Sequence, residues 1–189
     1  MLNVAYVWLM VWLESGNKKH SIMNELETLK NLVLAPYILK ATALIGVSRK
    51  VGGNQFRHSF STLGILLDYK YYTDSVLLKA SLLHDFLEDL EQTTVDEIRG
   101  IDSESQQVVE LVLEVTRQKG ETKAQYLQRV LSKGSRNAQI LKCADRISNL
   151  TDLHRDTHSD QNISDYLDQT KEFVFHMAKK VNKNMLKEL

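Results

Sequence analysis

Four ionisable side chains crowd one short segment of the chain, LLHDFLED. His84 and Asp85 are adjacent, and Glu88 and Asp89 follow them four residues later. In a helix one turn would separate the two pairs, so all four side chains would lie along one edge of a leucine-rich helix. Carboxylates so close together repel each other, and a divalent metal ion would remove the conflict.

Taken alone, the His84–Asp85 pair is better explained as part of a solvated acidic face beside neighbouring lysines. Two distant residues change that balance, because His58 and Asp145 each lie in an apolar helical context where a charged side chain needs a partner. Two imidazoles and two carboxylates suit manganese, iron or magnesium better than structural zinc, and they leave coordination positions open. Open positions are what a hydrolase requires.

The pattern H…HD…D resembles the HD superfamily of metal-dependent phosphohydrolases. The strings LLHDFLEDLEQTTVDEI and LKCADRISNL are similar to its alarmone-hydrolase branch, the stand-alone (p)ppGpp hydrolases of the RelA/SpoT type, and the resemblance spans residues 25 to 165. It implies an all-α fold with a single HD-domain helical bundle. It also implies hydrolysis of the 3′-pyrophosphate of guanosine tetra- or pentaphosphate, so that ppGpp yields GDP and pyrophosphate.

The resemblance assigns roles to the acidic and histidine residues. Manganese, or another divalent cation, would be bound by His58, His84, Asp85 and Asp145. Glu88 and Asp89 would position and deprotonate the attacking water. A metal lowers the pKa of bound water towards neutrality, and a carboxylate one turn from the ligands can accept the proton. Glu88 is the preferred base.

Four further residues are predicted to bind substrate, namely Arg49, Lys50, Lys142 and Asn149. The first two precede His58 by nine and eight residues, which is similar to the family's Arg-Lys pair beside the guanine and the phosphates. Arginine can stack on a base and lysine can attract phosphate. The last two share a helix face around the predicted ligand Asp145, and in the family the asparagine contacts the nucleotide. Solvated loop charges are the alternative interpretation of the Arg-Lys pair.

Two positions depart from the alarmone-hydrolase pattern. Ser59 follows the first histidine where the family usually has proline. Leu150, Thr151 and Asp152 follow Asn149 where the family typically has an Arg-Thr pair. Since an acid repels an anionic ligand, two alternatives stay open. The protein would then be an HD phosphohydrolase with another nucleotide substrate, or a non-catalytic nucleotide-sensing HD module.

Helices must position these residues, and apolar residues recur at helical spacing through most of the chain. One proline, few glycines and no strand-like alternation predict an all-α bundle of roughly eight helices. Continuous helices are expected over residues 24–40, over HSFSTLGILLDYK, and from a cap at Asp74 through LLHDFLEDL. Gly52–Gly53 mark a loop that carries the Arg-Lys pair.

Residues 1–22 are predicted to be an N-terminal extension or first helix, and residues 23–189 to be the HD hydrolase domain. The extension opens with MLNVAYVWLMVWL, which is shorter than the ~20 apolar residues of a membrane-spanning helix. No membrane partner is therefore expected. A length of 189 residues with 43% hydrophobic and 25% charged residues is ordinary for one globular domain.

Charge and cysteine content narrow the partners and the compartment. The chain has 24 basic and 24 acidic residues, so it has no polycationic field to hold a nucleic acid polymer, and none is expected as a partner. Cys143 is its one cysteine and cannot form an internal disulfide, which favours the cytoplasm. A nucleotide substrate is the expected partner, and the sequence indicates no oligomeric state.

Overall fold

Helices make up the regular structure of residues 27–28, 31–90 and 92–189, the part of the chain that the computed structural model describes. This agrees with the predicted all-α fold. Leu34–Leu189 form one compact unit and Met1–Val33 another. The predicted extension over residues 1–22, and its boundary with the next domain, lie outside the described residues. No described helix is long and apolar enough to cross a membrane.

The compact unit from Leu34 onward contains helices of 4 to 17 residues. In chain order these are α1 (Ala35–Ala41), α2 (Gln55–Asp68), α3 (Ser75–Leu83), α4 (Phe86–Asp89), α5 (Asp96–Arg99), α6 (Ser105–Val115), α7 (Lys123–Lys133), α8 (Arg136–Asp152), α9 (Asp160–Gln169), α10 (Phe175–Val181) and α11 (Lys183–Glu188). Short 3-10 turns follow α1 and α8, and a π-helical turn, Thr170–Val174, joins α9 to α10.

The prediction of one continuous helix over residues 24–40 is wrong, because residues 32–34 are not helical. Pro36 lies instead in the first turn of α1. In the middle of a longer helix, proline would lack the N–H that bonds to the carbonyl four residues earlier, and its ring would clash with that carbonyl. In a first turn that N–H has no partner to lose.

Side-chain caps begin the helices that carry the site. Asn54 caps α2 by accepting a hydrogen bond from the N–H of Arg57, and Ser135 caps α8 by accepting one from Ala138. Thr122 and Gln125 form a reciprocal capping box at the start of α7. Caps of this kind satisfy backbone N–H groups that have no partner inside the helix.

The core lies where α2 packs against α3 and α8, and where α3 packs against α6. Burial of apolar side chains at these contacts is the main source of stability. Fully or nearly fully buried residues include Leu66, Leu77, Leu78, Leu82, Leu83, Val108, Val112, Ile140, Leu141 and Ala144. His58, His84 and Asp145 are buried at the same contacts, so these three polar residues need partners within the core.

An ion cluster around the buried Lys79 joins α1, α3 and the segment before α6. The ammonium of Lys79 lies 2.7 Å from a carboxylate oxygen of Asp102 and 2.5 Å from one of Glu104. The hydroxyl of Tyr37 donates to Asp102 at 2.8 Å, and the Lys79 ammonium lies 5.2 Å from the centre of the Tyr37 ring. This cluster accounts for a lysine whose side chain is only 5% exposed.

The predicted continuous helix through LLHDFLEDL is also wrong, because α3 ends at Leu83 and α4 begins at Phe86. The Nδ1 atom of His84 lies 2.8 Å from the backbone carbonyl oxygen of Ser81. In an unbroken helix that carbonyl would accept from the N–H of Asp85. The imidazole takes this acceptor, so the helix stops where the acidic residues begin.

Candidate functional site

Three helices bring His58, His84 and Asp145 together in the core. His58 lies on α2, His84 directly follows α3, and Asp145 lies on α8. The Nε2 atom of His58 is 3.0 Å from Oδ1 of Asp145 and 3.2 Å from Nε2 of His84, and the three side chains are at most 5% exposed. One donor atom from each lies within 4.8 Å of the others. This geometry can hold a metal ion.

Hydrogen bonds on the far side of each ring support a cation site. Because the Ser81 carbonyl can only accept, Nδ1 of His84 carries a hydrogen, and in the neutral ring Nε2 has the lone pair. Nδ1 of His58 lies 2.9 Å from the hydroxyl of Ser148, which can accept a hydrogen in the same way. Two lone pairs and an ionised carboxylate then face one point, an arrangement that a divalent cation stabilises. The donor set therefore fits a divalent cation.

Asp85, the fourth predicted ligand, lies at the edge of this cluster. Its Oδ2 atom is 3.2 Å from Nε2 of His84 and 3.6 Å from Nε2 of His58. Its side chain is 24% exposed, so the cluster is reached from solvent on the Asp85 side. The break between α3 and α4 places this residue, since Asp85 lies in the turn itself.

Opposing charges control the ionisation of the cluster. Burial by itself lowers the pKa of His84, but the negative charges of Asp85 and Asp145 outweigh it and raise that pKa to about 10. Burial raises the pKa of Asp145, but Lys142 and the two imidazoles hold it well below its usual range. The carboxylates are thus ionised, and a proton on His84 competes with any cation for the same position.

Glu88 and Asp89 lie on α4, beyond the helix break. The carboxylate of Glu88 accepts a 2.6 Å hydrogen bond from the backbone N–H of Arg117. Loss of solvent raises the pKa of Glu88, and the negative charge of Asp85 raises it further. The hydrogen bond from Arg117 lowers this pKa but does not cancel the rise. Loss of solvent and the Asp85 charge likewise raise the pKa of Asp89. Both carboxylates therefore bind a proton more readily than usual.

Arg49 reaches the site from a tight turn after α1. Gly52 and Gly53 both adopt left-handed backbone angles, with φ of 81° and 74°, which glycine alone adopts at no steric cost. The guanidinium of Arg49 donates to Asn149 at 2.5 Å and to Asp152 at 3.2 Å. The amide nitrogen of Asn149 donates in turn to Oδ1 of Asp145 at 2.7 Å.

Asp152 is neutralised by this arrangement. It contacts Arg49, lies 3.3 Å from the guanidinium of Arg57, and forms a third ion pair with Arg155. The carboxylate that departs from the family pattern is therefore surrounded by three positive charges. Its repulsion of an anionic ligand is correspondingly weakened.

The two predicted lysines differ in position. The ammonium of Lys142 lies 2.6 Å from Oδ2 of Asp145 and 5.0 Å from the centre of the Tyr126 ring. Burial by itself lowers the pKa of Lys142, but the Asp145 charge outweighs it and raises that pKa above its ordinary value. Lys50 is exposed at the mouth of the site.

Two adjoining cavities form a cleft over the cluster. The inner cavity, of about 300 Å³, is lined by His58, Asp85, Glu88, Lys142 and Asp145 among others. The outer cavity, of about 480 Å³, is lined by Lys50, Asp89, Asp156 and Asp165 among others. Residues that line both are Arg49, Gln55, Lys123, Asn149, Tyr166 and Gln169. Volumes of this size suit a nucleotide-sized ligand.

The sequence interpretation missed several residues of the cleft. Ser148 follows Asp145 by three residues on α8, and Gln55 precedes His58 by three on α2, so helical spacing from a predicted ligand could have identified both. Lys123 and Arg117 come from a different part of the chain, and no local pattern links them to the ligands. Arg146 ties α8 to α9 by donating to the Tyr166 carbonyl at 3.1 Å.

No protein-family model matches the chain. It is 34% identical over 130 residues to mouse guanosine-3′,5′-bis(diphosphate) 3′-pyrophosphohydrolase MESH1, covering 65% of this chain and 70% of the mouse protein. The human protein of the same name is 33% identical over 129 residues, with the same coverage. A solved structure described as a metazoan ortholog of SpoT that hydrolyses ppGpp and plays a role in starvation responses aligns with a TM-score of 0.72 and 25% identity, covering 82% of this chain and 90% of that one.

Proposed function

The chain belongs to the family of guanosine-3′,5′-bis(diphosphate) 3′-pyrophosphohydrolases, and from this membership we propose that it hydrolyses guanosine tetra- or pentaphosphate. Guanosine tetraphosphate would give GDP and pyrophosphate. The observation that carries the proposal is the buried meeting of His58, His84 and Asp145 at the base of a cleft. A hydrolase of this class needs such a cluster beside room for a nucleotide.

The cation site is proposed to comprise His58, His84 and Asp145, with Asp85 as the fourth ligand. Manganese is the ion that the family resemblance implies, and its mixed nitrogen and oxygen preference suits this set. When bound, the ion would lower the pKa of a water molecule and offset the charge of the phosphoryl oxygens. The bonds from Nδ1 of His84 to the Ser81 carbonyl and from Nδ1 of His58 to the Ser148 hydroxyl orient both imidazoles for this proposed site.

Glu88 is the proposed base. It lines the inner cavity together with Asp85. Its Oε1 atom already accepts from the backbone of Arg117, which leaves Oε2 to take a proton from the attacking water. A pKa raised above the ordinary glutamate value brings such a base closer to neutral pH, where proton transfer is most effective. Asp89 is proposed to position the water.

Positive side chains around the cleft are proposed to hold the phosphates. Arg49 and Lys123 line both cavities, Lys142 lines the inner one, and Lys50 lies at the outer one. In the proposed reaction the oxygen of one water forms a bond to the phosphorus attached to the 3′ oxygen, and the bond between that phosphorus and the 3′ oxygen breaks. The 3′ oxygen leaves with a proton, and pyrophosphate is released. Asn149 is proposed to contact the nucleotide beside Arg49.

A second candidate is an HD phosphohydrolase for another nucleotide. Three carboxylates, those of Asp89, Asp156 and Asp165, line the outer cavity. They would disfavour phosphate groups there. A nucleotide with fewer phosphates would avoid them. A panel of nucleotides, with released phosphate and pyrophosphate quantified separately, distinguishes this activity from alarmone hydrolysis.

The deciding experiment incubates purified protein with manganese and guanosine tetraphosphate and follows pyrophosphate release, beside an Asp85→Ala control. Release that disappears in the control supports the proposed reaction. Manganese binding without release from any nucleotide in the panel would indicate a nucleotide-sensing module. We propose the cytoplasm as the compartment, because Cys143 is free and buried and reduced thiols persist there.

A further inference from the structure

Gln55 is the first residue of α2 and lies between the two kinds of carboxylate in the cleft. It follows the cap Asn54, precedes His58 by three residues, and lines both cavities. Its amide nitrogen donates a short hydrogen bond to Oδ2 of Asp89 and a longer one, of 3.4 Å, to Oδ2 of Asp85. One side chain therefore links a proposed cation ligand to the residue proposed to position the water.

The orientation of this amide follows from its partners. An ionised carboxylate can only accept hydrogen bonds, so the nitrogen of Gln55 must face Asp85 and Asp89. Its two N–H groups can serve the two carboxylates at once. The opposite atom, Oε1, is buried and has no hydrogen-bond partner among the described residues.

An unpaired buried acceptor lowers the stability of a protein. An apolar side chain at position 55 would avoid this loss, so stability alone does not account for the glutamine. A buried polar atom without a hydrogen-bond partner is expected where function requires the residue that carries it. The feature that an apolar residue could not supply is the pair of N–H groups directed at the two carboxylates.

We propose that Gln55 is a positioning residue that holds the Asp89 carboxylate beside Asp85 for the hydrolytic step. The inference rests on the proposed function, because it takes the role of Asp89 from there. Gln55 contacts the proposed ligand Asp85 only through the longer of its two bonds, and no hydrogen bond among the described residues joins it to a side chain proposed to hold phosphate. Its loss should therefore affect turnover more than substrate or metal binding.

The test is a double-mutant cycle with Gln55→Leu and Asp89→Asn. In the wild-type background, Gln55→Leu should lower kcat about tenfold or more and leave KM nearly unchanged, since misplacing a positioned group by 1 Å can cost about 10²-fold. In the Asp89→Asn background it should have almost no further effect. Gln55→Glu keeps the shape of the side chain but cannot donate, so its kcat should be at least as low as that of Gln55→Leu. Gln128→Leu, an exposed change on α7, is the matched control.

Two readouts do not depend on turnover. Isothermal titration with manganese should show an affinity for Gln55→Leu at most about tenfold below that of the wild type, the low end of outer-shell effects, because the bond to the proposed ligand Asp85 is the longer of the two. A crystal structure of Gln55→Leu should show the Asp89 carboxylate turned away from Asp85.

Several results would overturn the inference. The first is a double-mutant cycle in which the kcat losses of Gln55→Leu and Asp89→Asn multiply, as they do for independent residues. The second is a Gln55→Glu variant as active as the wild type. The third is a Gln55→Leu crystal structure in which the Asp89 carboxylate has not moved. A wild-type protein that releases no pyrophosphate from guanosine tetraphosphate would instead contradict the proposed function. The crystal structure of the variant would still decide the role of Gln55.

Discussion

The Nε2 atoms of His58 and His84 lie 3.2 Å apart, although 26 residues separate the two in the chain. Each ring is oriented by a bond on its opposite side, to Ser148 for His58 and to the Ser81 backbone for His84. The two nitrogens are therefore directed at one point by the protein itself. Preorganised ligands of this kind bind a cation without first having to order their side chains.

Replacing one imidazole should remove the cation. His84→Asn deletes the Nε2 donor, and we expect the manganese affinity to fall by more than the ~10–100-fold typical of outer-shell changes, with pyrophosphate release lost in parallel. Metal content after dialysis and a titration with manganese measure this. His176→Asn, on an exposed face of α10, is the control and should keep the manganese affinity and the pyrophosphate release of the wild type. Retention of full metal content by His84→Asn would exclude the proposed site.

Removing the hydroxyl behind His58 should weaken the site without destroying it. Ser148→Ala takes away the partner of the His58 Nδ1 atom, so the ring is held less firmly, and we expect manganese affinity to drop by about 10–100-fold. Calorimetric titration gives the value directly. Ser132→Ala, on the exposed face of α7, should bind like the wild type. An unchanged affinity for Ser148→Ala would mean that packing alone orients His58.

Neutralising the proposed base should separate turnover from metal binding. Glu88→Gln keeps the side-chain size but cannot accept a proton from water, so kcat should fall by about 10²–10⁴-fold. Manganese affinity should change little, because no donor atom of the cluster is altered. Initial rates together with a metal titration check both expectations, and Glu172→Gln, an exposed change, serves as the comparison. Near-normal kcat would transfer the role of base to Asp89.

A conservative change at Arg49 should raise KM. The guanidinium bonds to Asn149 and Asp152 through two different nitrogens, and the single ammonium of lysine cannot reproduce this fork. We expect Arg49→Lys to raise KM for guanosine tetraphosphate about tenfold, equivalent to ~1.4 kcal/mol, with a smaller effect on kcat. Arg136→Lys, at the exposed start of α8, should behave as the wild type. An unaltered KM would show that Arg49 is structural.

Acid should weaken the fold through the Lys79 cluster. Burial by itself raises the pKa of Asp102, but bonds from Lys79 and Tyr37 outweigh it and lower that pKa, while bonds from Lys79 and Ser75 lower the pKa of Glu104. Their stabilising contribution is therefore complete above the unfolded values of ~3.9 and ~4.3. It is lost as the pH falls through the lower folded values.

Urea unfolding at a series of pH values from 6 to about 3 measures this dependence. Lys79→Met should be less stable than the wild type at neutral pH and should lose less stability on acidification. The exposed change Lys187→Met should leave the curve unaltered. Parallel curves for the wild type and Lys79→Met would mean that other carboxylates dominate acid unfolding.

Local signals predicted much of the helical architecture. Helical spacing predicted most of α2, and the cap residue Asp74 predicted the start of α3, because these features act within a few residues of one another. The break after Leu83 escaped prediction because it depends on a side chain bonding to the backbone of Ser81. The interruption at residues 32–34 was missed although Pro36 signals it locally.

Part of the candidate site was likewise predictable from the sequence, and part was not. His58, His84, Asp85 and Asp145 were predicted as ligands from their spacing and the family resemblance, and the structure places the four side chains next to one another. The partners of Arg49 could not be inferred, since Asp152 lies 103 residues away in the chain. Asp152 was predicted to oppose an anionic ligand, yet three arginines surround it. Such pairings depend on the fold, which no local pattern specifies.

The bond between His84 and the Ser81 carbonyl has a consequence for protein engineering. The same imidazole that ends α3 also presents its free nitrogen to the cluster, so the helix terminus and the donor atom are one transferable unit. A designer who grafts this site onto another helical scaffold would need to carry the whole stretch from Ser81 to Asp85. Copying only the histidine into an uninterrupted helix would point its lone pair in a different direction.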